Sequence, residues 1–450
     1  MSLPRQARVT LIALVGALQV QMGCGGDGGA DDVDAGTGGG SGGMNASGGA
    51  SATGGGPGSG GSTTDAGTPA TGGAPAGGGN MGSGGATGSG GTPRTGGAMG
   101  TAGATGSGGA AGQSGSGGAA GGSGVRLVGR IDTADATRPS FSWSGSAMVA
   151  RFQGTGATLR IDGSPNQYAV VVDNTVTTQV LKVVSGTSQY TVASGLAAGI
   201  HDLVVWKRTE GNQGANRFLG LDVTGGQLME APAAPDRRIE IDGDSITAGY
   251  GMDGVGPNCP YTPDTENHYS TYAAVTARDL KAELHAIAWS GIGMYRNYGV
   301  TGASADAMPA VYARTLAAQA TSAWNFAGWQ PHVVVINLGT NDASTNGDPG
   351  VPYETAYLGF VRMLRQKYAT AHVVLTIGPM LDGANLKAIK GHLQKVISTR
   401  ATEGDTKMSF LEFPVQQQAD GYGCDYHPSR ATNAKMAALL TAELKTRLGW

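Results

Sequence analysis

The chain has 450 residues, which would suggest about three domains for an ordinary globular composition. However, 80 residues are glycine and they are concentrated in one segment, so that domain count is too high. The 30 basic and 33 acidic side chains give a formal net charge of −3 without a basic cluster, which argues against a nucleic acid as partner.

The N-terminal segment, residues 1–24, has the pattern of an export signal. Two arginines precede an apolar run over residues 9–20, which is too short to span a bilayer. The run ends at Met22-Gly23-Cys24, which resembles a bacterial lipobox, although Gln21 stands where that motif prefers leucine. We therefore expect export and a diacylglycerol anchor on Cys24 at the cell surface or outer membrane. The alternative is an ordinary cleaved signal and a secreted protein.

Residues 25–124 consist almost wholly of Gly, Ser, Ala and Thr. The segment contains no Phe, Trp, Tyr, Leu or Ile, and Arg94 is its only basic residue. Such a chain cannot bury enough apolar surface to offset the entropy of ordering it, and it lacks the strict glycine period of collagen. We predict a disordered tether with a root-mean-square span of about 50–60 Å.

Residues 125–230 are predicted to form an all-β domain. Short apolar runs such as "AMVARFQG", "YAVVVDN" and "HDLVVWKR" alternate with Gly, Asn, Asp and Ser turns, and no helix-length apolar stripe interrupts them. This spacing is typical of a β-sandwich or jelly roll. The proline-punctuated residues 231–238 form a predicted linker to the next domain.

From residue 239 to 450 the pattern changes to alternating strands and helices. Five near-continuous apolar runs indicate parallel strands covered on both faces: "RIEID", "AELHAIAW", "HVVVINLG", "HVVLTIG" and "MSFLEF". Helical apolar stripes lie between and after them, at Ala356, Tyr357, Phe360, Val361 and Leu364 and again at Met436, Leu439, Leu440 and Leu444. The pattern predicts a doubly wound parallel α/β sheet, whose functional residues gather beyond the strand C-termini.

Four residues that could take part in catalysis lie after the predicted strands. Ser245 follows the first strand, Gly291 the second, Asn341 the third, and His427 lies past the last. A hydroxyl nucleophile, a base and donors for a developing oxyanion are together what acyl transfer requires.

With these four residues after strand ends, the chain resembles the SGNH (GDSL-type) hydrolases, and within them carbohydrate esterase family 2. The resemblance covers residues 125–450 and rests on "GDSITAGYG", "ENHYSTYAAVTARDL", "AWSGIGMYRNYG", "WQPHVVVINLGTND" and "ADGYGCDYHPS". It implies a flavodoxin-like SGNH domain behind a β-sandwich. It also implies a serine esterase that removes O-acetyl groups from xylan, mannan or glucomannan through an acetyl-enzyme. We expect a monomer without a cofactor.

The resemblance also assigns residue roles. Ser245 is the nucleophile and His427 the general base, while the backbone N–H groups of Ser245 and Gly291 and the side-chain amide of Asn341 form the oxyanion hole. The wider superfamily has Asp-x-x-His, but Cys424 occupies that aspartate position here. Either Asp425 or a backbone carbonyl then orients the imidazole, and we favour the second arrangement, a Ser–His dyad.

Cysteine, tyrosine and histidine residues add further predictions about the site. Setting Cys24 aside leaves Cys259 and Cys424, an even pair in an exported protein, which predicts one disulfide; two free thiols are the alternative. Tyr426 and Tyr295 are candidate sugar contacts. His268 is an alternative base.

Three other functions are alternatives to the serine esterase hypothesis. A metal-dependent deacetylase is disfavoured because the chain has no His-Glu-x-x-His motif. A lipase or lysophospholipase on the same scaffold, and a non-catalytic carbohydrate-binding surface lipoprotein, remain as alternatives.

Deleting residues 1–124 is expected to give a soluble protein with unchanged kinetics on small esters, because a segment without large apolar side chains adds nothing to a core. The measurements are kcat and KM on p-nitrophenyl acetate and the thermal unfolding midpoint, compared with the full chain. A folding defect in the truncated protein would show that this segment is structural.

Overall fold

The computed structural model describes residues 120–121 and 124–450. The predicted export signal, Cys24 and the predicted tether up to residue 119 lie outside these residues. Ala120–Gly121 pairs with the strand that begins at Val125, so regular structure starts slightly inside the range predicted as tether. Among the described residues, no helix has the length and apolar character needed to cross a membrane.

The first half of the described chain consists of antiparallel strands, as the alternating pattern predicts. Their bounds are β1 Ala120–Gly121, β2 Val125–Val128, β3 Ser140–Phe141, β4 Ala147–Gly154, β5 Gly156–Gly163, β6 Asn166–Val172, β7 Thr175–Val176, β8 Leu181–Val183, β9 Ser188–Ala193, β10 Gly199–Lys207, β11 Asn216–Thr224 and β12 Gln227–Leu228. One sheet has the order β1-β2-β4-β10-β6-β7, with β12 also on β4 and β8 on β6, and the second has the order β3-β11-β5-β9.

The two sheets bury one shared apolar core, which makes this region a β-sandwich. In β4, Ala150 and Phe152 point inward, while Arg151 between them points outward. Arg151 forms two hydrogen bonds, 2.6 and 2.8 Å long, with the carboxylate of Asp202, its cross-strand neighbour on β10. The period-two alternation of apolar and polar residues therefore decides which face is buried.

The second half is the predicted doubly wound α/β domain. Its strands are β13 Arg237–Gly243, β14 Ala282–Ala288, β15 Val333–Asn337, β16 His372–Ile377 and β17 Met408–Glu412. Its helices are α1 Ser245–Ala248, α2 Tyr272–Asp279, α3 Met308–Val311, α4 Thr340–Ser344, α5 Gly350–Lys367, α6 Gly383–Thr402 and α7 Arg430–Leu448. The sheet is wholly parallel with the order β14-β13-β15-β16-β17, the flavodoxin-like arrangement.

The helical stripes are largely as predicted, with one error. In α7, Met436, Leu440 and Leu444 are buried against the core, but Leu439 is 38% exposed. Residues spaced by four lie one above another on a helix, whereas Leu439 is rotated by about 100° from its neighbour Leu440. That rotation places Leu439 at the edge of the buried face.

The sandwich inserts a charged side chain into the α/β domain. Arg130, which follows β2, donates to the carbonyl groups of Tyr312 and Arg314 and pairs with Glu240 of β13 at 3.3 Å. Both charged side chains are 0% exposed. A second carboxylate on the same strand, Asp242, is also fully buried, and its burial raises its pKa well above the ordinary value. The guanidinium is thus the cation that pairs with the buried Glu240 carboxylate on β13.

Replacing Arg130 by methionine is expected to lower the free energy of unfolding by about 3–5 kcal/mol, because Glu240 would remain buried without its cation. Urea denaturation followed by tryptophan fluorescence measures the change. The matched control is Arg138→Met, which removes an exposed partner of Asp135 and is expected to change stability far less. Equal effects of the two substitutions would contradict the role assigned to Arg130.

Candidate active site

The predicted nucleophile lies at the turn between β13 and α1. Asp244 caps the helix, because its carboxylate Oδ1 accepts a hydrogen bond from the Ile246 N–H at 3.0 Å. Gly243 leaves room for the turn, since a Cβ there would lie 2.0 Å from Thr247 Oγ1. Ser245 is 8% exposed and begins the helix. Asp244 therefore holds the turn through its carboxylate.

The structure brings Ser245 and His427 together. Ser245 Oγ lies 2.8 Å from His427 Nε2. On the other side of the ring, Nδ1 lies 3.1 Å from the carbonyl oxygen of Cys424 and 3.2 Å from that of Asp425. Because carbonyl oxygens only accept hydrogen bonds, Nδ1 carries the proton and Nε2 presents its lone pair to the serine hydroxyl.

The carboxylate of Asp425 does not orient the imidazole, so this alternative from the sequence is wrong. Asp425 Oδ2 instead accepts a hydrogen bond of 2.8 Å from the Tyr250 hydroxyl. Asp425 and Tyr426 adopt left-handed backbone conformations, with φ of 52° and 60°. This turn directs carbonyl groups towards His427 and the carboxylate away from it. The Ser–His dyad is the arrangement present.

The predicted disulfide between Cys259 and Cys424 is confirmed, with the two Cα atoms 4.7 Å apart. The Cys424 N–H also donates to the Gly251 carbonyl at 2.9 Å. Gly254 leaves space for the bridge, since a Cβ there would lie 2.3 Å from Cys424 Sγ. The segment that orients His427 is therefore fastened to the loop that leaves the nucleophile.

Of the three predicted oxyanion donors, the Asn341 amide already has protein acceptors, whereas the two backbone N–H groups have none among the described residues. Asn341 Nδ2 donates to the Ile292 carbonyl at 2.8 Å and lies 3.3 Å from Asp244 Oδ2. Gly291 has a φ of 79° and open space where a side chain would stand. Within residues 124–450, neither the Ser245 N–H nor the Gly291 N–H donates to a protein acceptor. These two donors are available to an oxyanion.

Asp342 is a structural residue of the site that sequence reasoning missed. Its carboxylate accepts three backbone N–H groups, those of Met294, Tyr295 and Arg296, at 2.8, 2.8 and 2.9 Å. Gly293 permits this close approach, since a Cβ there would lie 2.8 Å from Asp342 Oδ2. The only sequence signal was its place after Asn341, because its partners lie on another loop.

The prediction that Tyr295 contacts sugar is not supported by its position. Its backbone is held by Asp342 and its ring packs against the core. Tyr298, which is 62% exposed, instead lines a cavity of about 400 Å³ together with Gly291 and Arg314. The other candidate, Tyr426, is 55% exposed and lines a cavity of about 550 Å³.

The alternative base, His268, is not placed for catalysis. It is fully buried, its ring stacks on Trp206, and its Nδ1 accepts a 3.1 Å hydrogen bond from the Trp206 indole. Burial lowers the pKa of His268 to about 3. In the part of the chain that the structure describes, no group of three or more His, Cys, Asp or Glu side chains is arranged to hold a metal ion.

The environment of His427 favours its neutral form. Burial lowers the pKa of His427 to about 4, and the hydrogen bonds to the carbonyls of Cys424 and Asp425 oppose this shift only in part. The ring of Tyr250, whose centroid lies 4.3 Å from that of the imidazole, contributes to the burial. The imidazole of His427 is therefore neutral at pH 7.

Comparison with known proteins agrees with the family that the sequence motifs predict. A family model described as "Carbohydrate esterase 2 N-terminal" matches residues 127–232, and one described as "GDSL-like Lipase/Acylhydrolase family" matches residues 243–435. A structure of a family two carbohydrate esterase from Clostridium thermocellum in complex with cellohexaose is 42% identical, with a TM-score of 0.70. The match covers 73% of this chain and 100% of that one.

Two curated relatives extend the comparison. The cellulase/esterase CelE of Acetivibrio thermocellus is 42% identical over 73% of this chain. The match spans only 40% of the length of that relative. An acetylxylan esterase / glucomannan deacetylase of Cellvibrio japonicus is 27% identical, and the match covers 72% of this chain and 89% of the relative.

The lowered pKa of His427 predicts how hydrolysis of a small acetyl ester depends on pH. The base must be neutral, so kcat/KM should stay near its plateau down to about pH 5 and fall to half near pH 4 as the imidazole is protonated. The control is full recovery of activity after return to pH 7, which excludes acid unfolding. An acid limb centred at pH 6.5, the ordinary histidine value, would contradict this account of the site.

Proposed function

The chain belongs to carbohydrate esterase family 2, and we propose that it is a serine esterase that removes O-acetyl groups from plant cell-wall polysaccharides through an acetyl-enzyme. The observation that carries the proposal is the 2.8 Å contact between Ser245 Oγ and His427 Nε2. This contact is within the distance needed for a base to take the serine proton.

In the first half of the reaction, Ser245 Oγ attacks the acetyl carbonyl carbon while His427 Nε2 takes the hydroxyl proton. The carbonyl oxygen becomes an oxyanion, which the free N–H groups of Ser245 and Gly291 stabilise. The Asn341 amide joins them by exchanging its long 3.3 Å contact with Asp244 Oδ2 for the oxyanion. The tetrahedral intermediate then releases the sugar oxygen, which receives the proton from His427. The acetyl group remains on Ser245.

In the second half, water replaces the sugar. His427 takes a proton from the water, whose oxygen attacks the acetyl carbon, and Ser245 leaves with that proton as acetate is released. Throughout, the carbonyls of Cys424 and Asp425 keep Nδ1–H directed away from the serine. Two neutral carbonyls stabilise imidazolium less than a carboxylate would, which is consistent with the low pKa of His427.

The substrate assignment is supported by the relatives and by exposed aromatic side chains. One relative is named acetylxylan esterase / glucomannan deacetylase, and one solved relative binds cellohexaose. Tyr426 is adjacent in sequence to the base, and Tyr298 lines the cavity that includes Gly291. Tyrosine rings combine an apolar face with a polar tip and suit the faces of sugar rings. We propose that these two side chains contact the polysaccharide on either side of the acetylated unit.

We further propose export and a lipid anchor on Cys24, since a polysaccharide substrate lies outside the cell. This part rests on the sequence alone, namely the apolar run over residues 9–20 and the cysteine that follows it. The glycine-rich tether would then supply reach between the anchor and an insoluble substrate.

Replacing Ser245 by alanine is expected to lower acetate release from acetylated glucomannan and acetylated xylan by about a thousandfold or more, because the nucleophile is lost. The control is Ser398→Ala, which changes an exposed serine on α6 and should leave the rate unchanged. Near-normal acetate release by the Ser245 variant would exclude it as nucleophile. Faster wild-type turnover of octanoyl than of acetyl esters would favour the lipase alternative instead.

A further inference from the structure

The loop that carries Gly291 is contacted by the β-sandwich on its N-terminal side. The indole of Trp289 lies edge-on to Trp143 of the sandwich, with ring centroids 6.3 Å apart. The next residue, Ser290, donates its backbone N–H to Glu210 Oε2 at 2.6 Å. Glu210 follows β10, so its carboxylate also comes from the sandwich side of the molecule.

Glu210 is itself held firmly. Its side chain is 1% exposed, and Lys207 Nζ donates to the carbonyls of Thr209 at 2.6 Å and Glu210 at 3.0 Å. The following residue, Gly211, is packed so closely on the α/β domain that a Cβ there would lie 2.4 Å from the Cβ of Ala317. The carboxylate therefore has little freedom to leave Ser290.

Gly291 is held by its own groups on one side only, where its carbonyl accepts a hydrogen bond from the Tyr298 N–H at 2.9 Å. It has no side chain, and nothing lies within 4 Å of the place where a Cβ would stand. The direction of its N–H is thus decided by its neighbours. On the C-terminal side, Asn341 binds the Ile292 carbonyl and Asp342 binds three N–H groups. On the N-terminal side, Glu210 binds the N–H of Ser290, one peptide unit before the oxyanion donor.

We propose that Glu210 is a positioning residue through which the β-sandwich holds the Gly291 N–H in its oxyanion-binding direction, so that both domains build the active site. This inference rests on the esterase function proposed above. A misdirected N–H would weaken binding of the transition state more than binding of the ester, because charge on the oxygen develops only as the reaction proceeds.

The test compares three substitutions by steady-state kinetics on p-nitrophenyl acetate. Glu210→Gln keeps an acceptor oxygen at the same reach and should retain kcat within about threefold. Glu210→Asp keeps the charge but is one methylene too short, and Glu210→Ala removes the acceptor. Both substitutions should lower kcat by about 10–100-fold and change KM by less than about threefold. This loss of kcat is smaller than the loss expected when an oxyanion donor is deleted outright.

A matched control separates positioning from stability. Glu283 is another buried carboxylate between the domains, bound by Arg126 of the sandwich and by the Trp329 indole at 2.9 Å. Glu283→Asp should lower the thermal midpoint without lowering kcat. Counting active sites by the p-nitrophenol burst restricts kcat to folded molecules, so partial unfolding of a variant does not obscure the result.

Each outcome has a distinct meaning. Wild-type kcat in Glu210→Asp or Glu210→Ala, or an equal loss in Glu210→Gln and Glu210→Ala, would overturn the positioning role while leaving the esterase function intact. A kcat loss in Glu283→Asp as large as in Glu210→Asp would also overturn it. Absence of acetyl ester hydrolysis in the wild-type protein would instead reject the proposed function itself.

Discussion

The hydrogen bond between Ser245 and His427 is the interaction on which the rest of the site depends. It joins residues 182 positions apart, one after the first strand of the parallel sheet and one just before the last helix. A contact so distant in sequence requires loop closure that the hydrogen bond alone cannot offset. The Cys259–Cys424 bridge, with a sequence separation of 165, closes nearly the same loop and stabilises by up to about 5 kcal/mol in the chain-entropy account.

His427 is oriented by neutral groups, and this affects the pKa of its imidazole. Carbonyl groups rather than a carboxylate receive Nδ1–H, and the carboxylate of Asp425 is bound by Tyr250. An anion beside the imidazole would raise its pKa, whereas here burial dominates and the base stays neutral. The acids that do lie near the oxyanion hole are buried as well, and burial raises the pKa of Asp244 to about 7. Asp244 is thus only partly ionised at neutral pH, which reduces the negative charge that would oppose an oxyanion.

The β-sandwich is joined to the α/β domain by buried polar contacts rather than by a flexible linker alone. Arg130 pairs with the buried Glu240 of β13, and Glu210 reaches the loop of Gly291. Buried charges and buried carboxylates are costly unless they are paired, so both contacts demand one fixed arrangement of the two domains. In the esterase proposed here, that arrangement serves the oxyanion hole as well as stability.

The sequence by itself determined the order of strands and helices and the four positions after strand ends, because periodicity and the geometry of a parallel sheet are local rules. It also predicted the disulfide, since only one pair of cysteines remained, but the tertiary structure decided between a bridge and two free thiols by placing the two Cα atoms 4.7 Å apart. Only the tertiary structure decided that carbonyls rather than Asp425 orient His427, that Tyr298 rather than Tyr295 is exposed, and that Glu210 reaches Ser290. These outcomes depend on the direction of side chains and on contacts between distant residues, 80 positions apart for Glu210 and Ser290 and 175 for Tyr250 and Asp425. A local pattern encodes neither.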